Sequence, residues 1–184
     1  MNECTLLEKA KQGEPGAFDA LVRPHQERLY KLALVLSRSH EDAEDILQDT
    51  LIRAYKSLQA FRGECAFATW LTRILLNVTR NKLRSEQRLH LRLRLMWMSA
   101  LGKSNDPGER LDRHERREFL RRALVGLPSH YREPLVMFHY QNMSYQEIAD
   151  VLQVPVGTVR SRLAKGRRLL QRALLALGYP VEND

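Results

Sequence analysis

The densest group of side chains able to act on another molecule lies near the end of the chain, in PVGTVRSRLAKGRRLLQRAL from Pro155. Six basic residues stand there with no acid: Arg160, Arg162, Lys165, Arg167, Arg168 and Arg172. At about 100° per residue, Val156, Val159, Leu163, Leu170, Leu174 and Leu177 fall on one apolar stripe. Ser161, Ala164, Lys165 and Arg168 fall opposite, and Arg160 and Arg162 flank the stripe. The early, outward, polar positions are candidates for base edges: Arg160, Ser161 and Lys165. A guanidinium pairs bidentately with guanine, and a hydroxyl serves several bases. Arg167, Arg168 and Arg172 lie further along and suit phosphate. A basic helix alone is more often a solvated face. What precedes it favours DNA: Ser144 and Glu147 form a capping-box pair, Ile148, Ala149 and Leu152 make a short apolar face, and Gln153–Val154 is a turn. Two short helices joined tightly, the second basic, are a helix-turn-helix layout.

A second group lies upstream, in FRGECAFATW and the segment after it. Phe61, Arg62 and Gly63 form a loop ahead of a helix carrying Asn77, Arg80, Asn81 and Arg84. An aromatic ring, amides and arginines supply what single-stranded bases need: stacking, edge hydrogen bonds and phosphate neutralisation. Phe61 and Trp70 also fit a core, and Trp70 is read as core. A third group lies in DAEDILQDTLIRAYKSL. Ala43, Ile46, Leu47, Thr50, Leu51, Ala54 and Leu58 face inward, which leaves Ile52 outward among Asp45, Gln48 and Asp49. An exposed aliphatic ringed by polar groups is a modest interaction signal, since lone surface aliphatics are common. Catalytic patterns fail. The six histidines are scattered without HExxH, and Cys4 and Cys65 show no metal spacing. GKS at 102–104 lacks the P-loop's first glycine, whose place is held by Trp97. No metal or cofactor is implied.

The elements that must position these groups are helical. Phe18, Leu21, Val22, Leu29, Leu32, Ala33 and Leu36 give a first helix, expected to bend or break at Pro24. Ser39 is the expected cap of the next, whose acid-rich first turns suit the helix dipole. A third helix from about Phe67 points Phe67, Trp70, Leu71, Ile74, Leu75 and Val78 one way, with Arg73, Leu76, Arg80 and Arg84 elsewhere. In RLHLRLRLMWM, Leu89, Leu91, Leu93, Leu95 and Trp97 alternate with strand period. That segment reads either as a basic, partly extended connector or as a continuing helix. GKSNDPGE is a linker composition. Helical pattern resumes at about Leu111, and Pro128 and Ser129 open a further helix.

The chain of 184 residues carries a net charge of +8, and 43% of it is hydrophobic, enough for packed cores and basic enough for a polyanionic partner. Residues 1–60 hold 8 Lys/Arg against 10 Asp/Glu, and the remainder 22 against 12, which suggests two kinds of partner. Acids stand where a signal peptide has its apolar core, and no apolar run reaches the roughly 18 residues of a membrane span. The expectation is a soluble, cytoplasmic, all-α protein of two small helical domains, 10–88 and 118–180, joined by a linker over 89–117.

DAEDILQDTLIRAYKSLQAFRGECAFATWLTRILLNVTRNKL and LPSHYREPLVMFHYQNMSYQEIADVLQVPVGTVRSRLAKGRRLL, in this order in a short chain, resemble the extracytoplasmic-function (ECF) group of the sigma-70 family. These are promoter-recognition subunits of bacterial RNA polymerase. The two segments cover about half of the chain. The resemblance implies sigma regions 2 and 4 without a region 3 between them, and no enzymatic activity. It places Asp45, Gln48 and Asp49, with Ile52, at the clamp helices of the polymerase β′ subunit, and region 4 at the β flap. It places Phe61, Arg62 and Gly63 in the loop that captures a flipped −10 base, with Asn77, Arg80 and Asn81 near that pocket. Thr158, Arg160, Ser161, Ala164, Lys165 and Arg168 match positions facing the −35 duplex. It further implies an anti-sigma factor. Cys65 stands where small hydroxyl residues are frequent, Ala164 offers only a methyl, and the connector is more basic and apolar than is usual. The rival reading is a stand-alone helix-turn-helix regulator, which accounts for residues 144–177 and leaves the first domain idle.

Overall fold

A computed structural model describes residues 2–37, 39–96 and 113–179. The described residues hold helices α1 (Glu3–Lys11), α2 (Ala17–Leu36), α3 (His40–Ser57), α4 (Phe67–Met96), α5 (Arg113–Gly126), α6 (Ser129–Gln141), α7 (Tyr145–Leu152) and α8 (Val156–Ala176), and no strand. A 3-10 turn, Leu58–Ala60, leads from α3 towards the FRGECA loop. The first domain packs α2, α3 and α4 together with α1 alongside α2; the second packs α6 and α7 against α8.

Local chemistry accounts for several boundaries. Ser39 Oγ accepts the Asp42 N–H at 3.0 Å, and Glu41 and Asp42 sit in the first turn of α3. At α7 the capping box is complete: the Glu147 N–H donates to Ser144 Oγ at 3.2 Å, and the Ser144 N–H donates to Glu147 Oε2 at 2.7 Å. Gln153 then takes a left-handed conformation, φ +54°, and the Val154 N–H returns to the Ala149 carbonyl at 3.1 Å. Pro155, with its φ preset, opens α8.

Two expectations change, and one open alternative is resolved in favour of helix. α2 runs unbroken through Pro24. The ring costs about 3 kcal/mol in a helix interior. Burial of Leu21, Val22, Leu29, Leu32 and Leu36 on one face returns about 1.5–3 kcal/mol each, so packing overrides the breaker. The Leu89–Leu95 alternation is carried on the continuing helix, since α4 extends to Met96. Helix thus occupies both ends of the segment expected as linker, while 97–112, with Trp97 and GKS, lies outside the described residues. Leu76 is only 2% exposed despite being off the expected inward face. It shares a helix face with Arg73 and Arg80, and both bond to the second domain. The face is covered by α6 and α7 rather than by solvent. α1 was not anticipated, since its inward side is only Leu6, Leu7 and Ala10.

The buried apolar residues form one continuous cluster across both domains. Gly166 lets α8 approach α6: a Cβ there would stand 3.0 Å from Leu135 Cδ1 and 3.2 Å from the Tyr131 carbonyl oxygen. Among the described residues, no helix is long and apolar enough to cross a membrane.

Candidate nucleic-acid interface

The α7–turn–α8 unit presents the expected reading edge outward. Val159 and Leu163 are buried, Val156, Leu170 and Leu174 are half-buried, and Leu177, expected on the stripe, is exposed past the end of the helix. Arg160, Ser161, Ala164, Lys165 and Arg168 are exposed, and Thr158 is half-buried. The Ser161 hydroxyl donates to the Thr158 carbonyl at 2.9 Å, which leaves its lone pairs outward.

Three cations of α8 lie over aromatic rings from the helices beneath. The Arg160 guanidinium is 6.0 Å from the centroid of Tyr145, Lys165 Nζ is 5.5 Å from that of Tyr131, and the Arg167 guanidinium is 5.6 Å from that of Phe138. Such contacts give about 0.5–1 kcal/mol at exposed sites. Their larger effect is to restrict where a long side chain points. These rings escaped sequence reasoning because they sit on other helices, at no fixed spacing from the cations.

In the first domain, α4 brings Asn77 and Arg80 together: Arg80 Nη1 donates to Asn77 Oδ1 at 3.0 Å. Arg80 Nε also donates to Glu133 Oε1 at 2.7 Å, and Nη2 donates to Glu133 Oε2. The hydrogen bonds it donates to Glu133 hold the Arg80 guanidinium above its ordinary pKa against the opposing effect of burial. Arg62 and Gly63 are exposed at the loop, with Gly63 at φ +76°. Phe61 is only 5% exposed. Its ring lies 5.5 Å from Phe67 and 5.0 Å from Trp70, and its carbonyl takes the Lys11 ammonium at 2.6 Å. In this conformation the ring is a core residue beneath the loop rather than an open stacking platform. Trp70, half-buried in the same cluster, is core as expected.

Asn81 faces another way. It lines an open groove of about 500 Å³ between α3 and α4, with Asp45, Gln48, Asp49, Arg53 and Lys82. Asp45, Gln48 and Asp49 are exposed, as is Ile52 at 44%. Lys82, which sequence reasoning missed, reaches Asp42 at 2.8 Å and Asp45 at 2.9 Å. Burial works against its charge, but hydrogen bonds to the two carboxylates outweigh burial and raise its pKa. Among the described residues no group of three His, Cys, Asp or Glu could hold a metal.

Residues 21–89 match sigma-70 region 2, and residues 117–177 match sigma-70 region 4. The RNA polymerase sigma-H factor of Pseudomonas aeruginosa is 32% identical over 180 residues, covering 94% of this chain and 93% of its own. The ECF RNA polymerase sigma-E factor of Haemophilus influenzae is 30% identical, covering 96% and 97%. The chain belongs to the ECF group of the sigma-70 family. Solved structures agree. CnrH in complex with the cytosolic domain of CnrY gives a TM-score of 0.65 at 28% identity, covering 94% of this chain and 96% of that one. The sigma factor RpoE of Bartonella quintana, in complex with the anti-sigma factor NepR, gives 0.60 at 27% identity, covering 87% and 98%. As an ECF sigma factor the chain directs promoter recognition and transcription initiation. A stand-alone regulator is disfavoured, because the likeness runs through both domains rather than through the helix-turn-helix alone.

Proposed function

We propose that the factor works through three surfaces, one for polymerase and two for promoter DNA. Region 2 docks on core polymerase, at the β′ clamp helices, through Asp45, Gln48, Asp49 and Ile52 of α3, and region 4 meets the β flap. Region 4 reads the −35 duplex with Arg160, Ser161 and Lys165, supported by Thr158, Ala164 and Arg168. Region 2 captures unpaired −10 bases with Arg62, Gly63, Asn77, Arg80 and Asn81, while Phe61 anchors the capturing loop. Unpairing costs a few kcal/mol, and captured bases return a comparable amount by stacking and edge contacts, so the binding energy is realised only once the duplex opens. No bond is made or broken by the factor, which is not an enzyme, needs no cofactor, and acts in the cytoplasm. An anti-sigma factor is the expected regulator. The complexes of CnrH with CnrY and of RpoE with NepR, both similar along most of this chain, support that reading.

The observation that carries the proposal is the exposed edge Arg160–Lys165 on a capped helix-turn-helix, in a chain that also holds region 2. Promoter DNA mapped after overexpression provides the template for the test. Start-site-specific transcripts should need both the factor and core polymerase. Equally strong sequence-specific binding by the factor alone would favour a conventional regulator instead.

A further inference from the structure

Helix α1 lies outside residues 21–89, which match region 2, and none of the surfaces assigned above uses it. It packs along α2, with Ala10 buried and Leu6 and Leu7 beside it, and its C-terminal end arrives at the 3-10 turn Leu58–Ala60. There the two segments exchange hydrogen bonds. The last carbonyls of a helix lack partners within it. In α1 those of Glu8, Lys9 and Ala10 are taken by the N–H groups of Gln12, Glu14 and Gly13, whereas that of Lys11 is taken by Gln59 Nε2. Lys11 Nζ reaches the other way, donating to the Phe61 carbonyl at 2.6 Å and standing 6.0 Å from the centroid of the Phe61 ring. The opposite end of α1 reaches the same aromatic cluster. Glu3 Oε2 lies 3.4 Å from His25 Nε2, and the His25 ring meets Phe67 edge-on at 5.7 Å.

Phe61 is the root of the loop that carries Arg62 and Gly63. Its carbonyl belongs to the planar peptide that joins it to Arg62, so a partner for that oxygen fixes the direction in which the chain leaves the core. Among the described residues, no backbone hydrogen bond is made by residues 62–65, and Arg62, Gly63 and Glu64 are exposed. The bond at Phe61 is therefore the restraint nearest to the loop on its N-terminal side. A bond donated by an ammonium is stronger than one between neutral groups, and the ring beneath restrains the same lysine. We infer that Lys11 and Gln59 form a clasp that positions the −10 capture loop, which makes α1 a positioning element for strand capture. This role rests on the −10 assignment of the loop, and in it Lys11 acts through Phe61 rather than on DNA.

Without the clasp the chain leaves Phe61 in more than one direction, and apparent affinity for the unpaired strand falls by the fraction of loops that stay competent. The −35 edge lies on α8 and the acidic face on α3, so neither depends on this bond. That separation distinguishes positioning of one loop from a general loss of stability, which weakens every surface together.

The test uses holoenzyme assembled from the full chain and core polymerase. Its probes come from a mapped promoter: each strand of the −10 element as a labelled oligonucleotide, and a duplex carrying only the −35 element. Lys11→Met, which keeps the apolar stem, should weaken binding of the −10 strand at least about threefold and leave binding of the −35 duplex and of core polymerase unchanged. Lys11→Arg, which keeps a charged donor, should bind the −10 strand like the parent. Gln59→Leu should weaken −10 binding in the same direction but by less, since the bond it removes is neutral. A folded Lys11→Met chain that keeps its −10 binding, or that loses −35 and −10 binding alike, overturns the inference, as does Lys11→Arg behaving like Lys11→Met. Arg62→Ala with Asn77→Ala separates the two possible failures. If that chain keeps parental −10 binding, the −10 assignment fails and the inference with it. If it loses that binding while Lys11→Met does not, the assignment stands and the clasp has no positioning role.

Discussion

Arg160 approaches the reading edge already leaning on a ring, 6.0 Å from the centroid of Tyr145. A bidentate arginine–guanine contact discriminates by about 1–3 kcal/mol, so Arg160→Ala should lower −35-dependent transcription by about tenfold or more and relax selectivity at one base pair, while core-polymerase binding persists. Unchanged selectivity on −35 variants would remove Arg160 from the reading edge. Tyr145 can be tested through its neighbour. Tyr145→Leu should weaken −35 binding a few-fold while Tyr145→Phe, which keeps the ring, should not. Arg168 lies about two turns further along and exposed, where phosphate is the natural partner. Arg168→Ala should weaken binding evenly across sequences and reduce the salt slope by about 1. A sequence-dependent loss would instead place it on a base.

At the scale of elements, the capping box of α7 sets the angle at which α8 is presented. The Ser144 backbone N–H, and after it the Ser144 hydroxyl, hold the Glu147 carboxyl below its ordinary pKa. A depressed carboxylate contributes stability that is complete above its unfolded value, about 4.3, and is lost as pH falls through the folded value. Thermal unfolding followed from neutral to acid pH should therefore show a drop below about pH 4 that is shallower in Glu147→Gln, with Ser144→Ala costing about 1 kcal/mol at neutral pH. Gln153 sits at φ +54°, a conformation that costs a side chain roughly 1 kcal/mol or more, so Gln153→Gly should raise the melting temperature slightly if the turn is unaltered. These features were legible in the sequence because both partners lie within a few residues: Ser144 with Glu147, Ser39 with Asp42, and Pro155 after its turn. Features decided by tertiary packing were not. Pro24 looks like a break until five buried neighbours hold the helix continuous. Leu76 looks solvent-facing until a second domain covers it. Phe61 could stack on a base or fill a core, and its two aromatic neighbours, Phe67 and Trp70, place the ring inside.

For the whole molecule the uneven charge is the controlling feature. The basic remainder of the chain suits a polyanionic partner, whereas residues 1–60 carry more acids than bases and present Asp45, Gln48 and Asp49 together on α3. An acidic patch of this kind steers a basic partner and suppresses binding to DNA, so one chain can address two partners without the surfaces competing. Exposed Ile52, one turn beyond Gln48 and Asp49, offers an apolar contact that charge alone would not. Asp49→Arg keeps an exposed, helix-compatible residue and reverses the sign at the groove wall. It should therefore leave helix content unchanged while raising the dissociation constant for core polymerase by about tenfold at low salt, or about 1.4 kcal/mol. The deficit should shrink as added salt screens the exposed charge. Arg160→Ala provides the contrast, since it should retain core binding and lose −35 selectivity. A folded Asp49→Arg chain that binds core polymerase normally at low salt would show that the acidic face of α3 is not the docking surface.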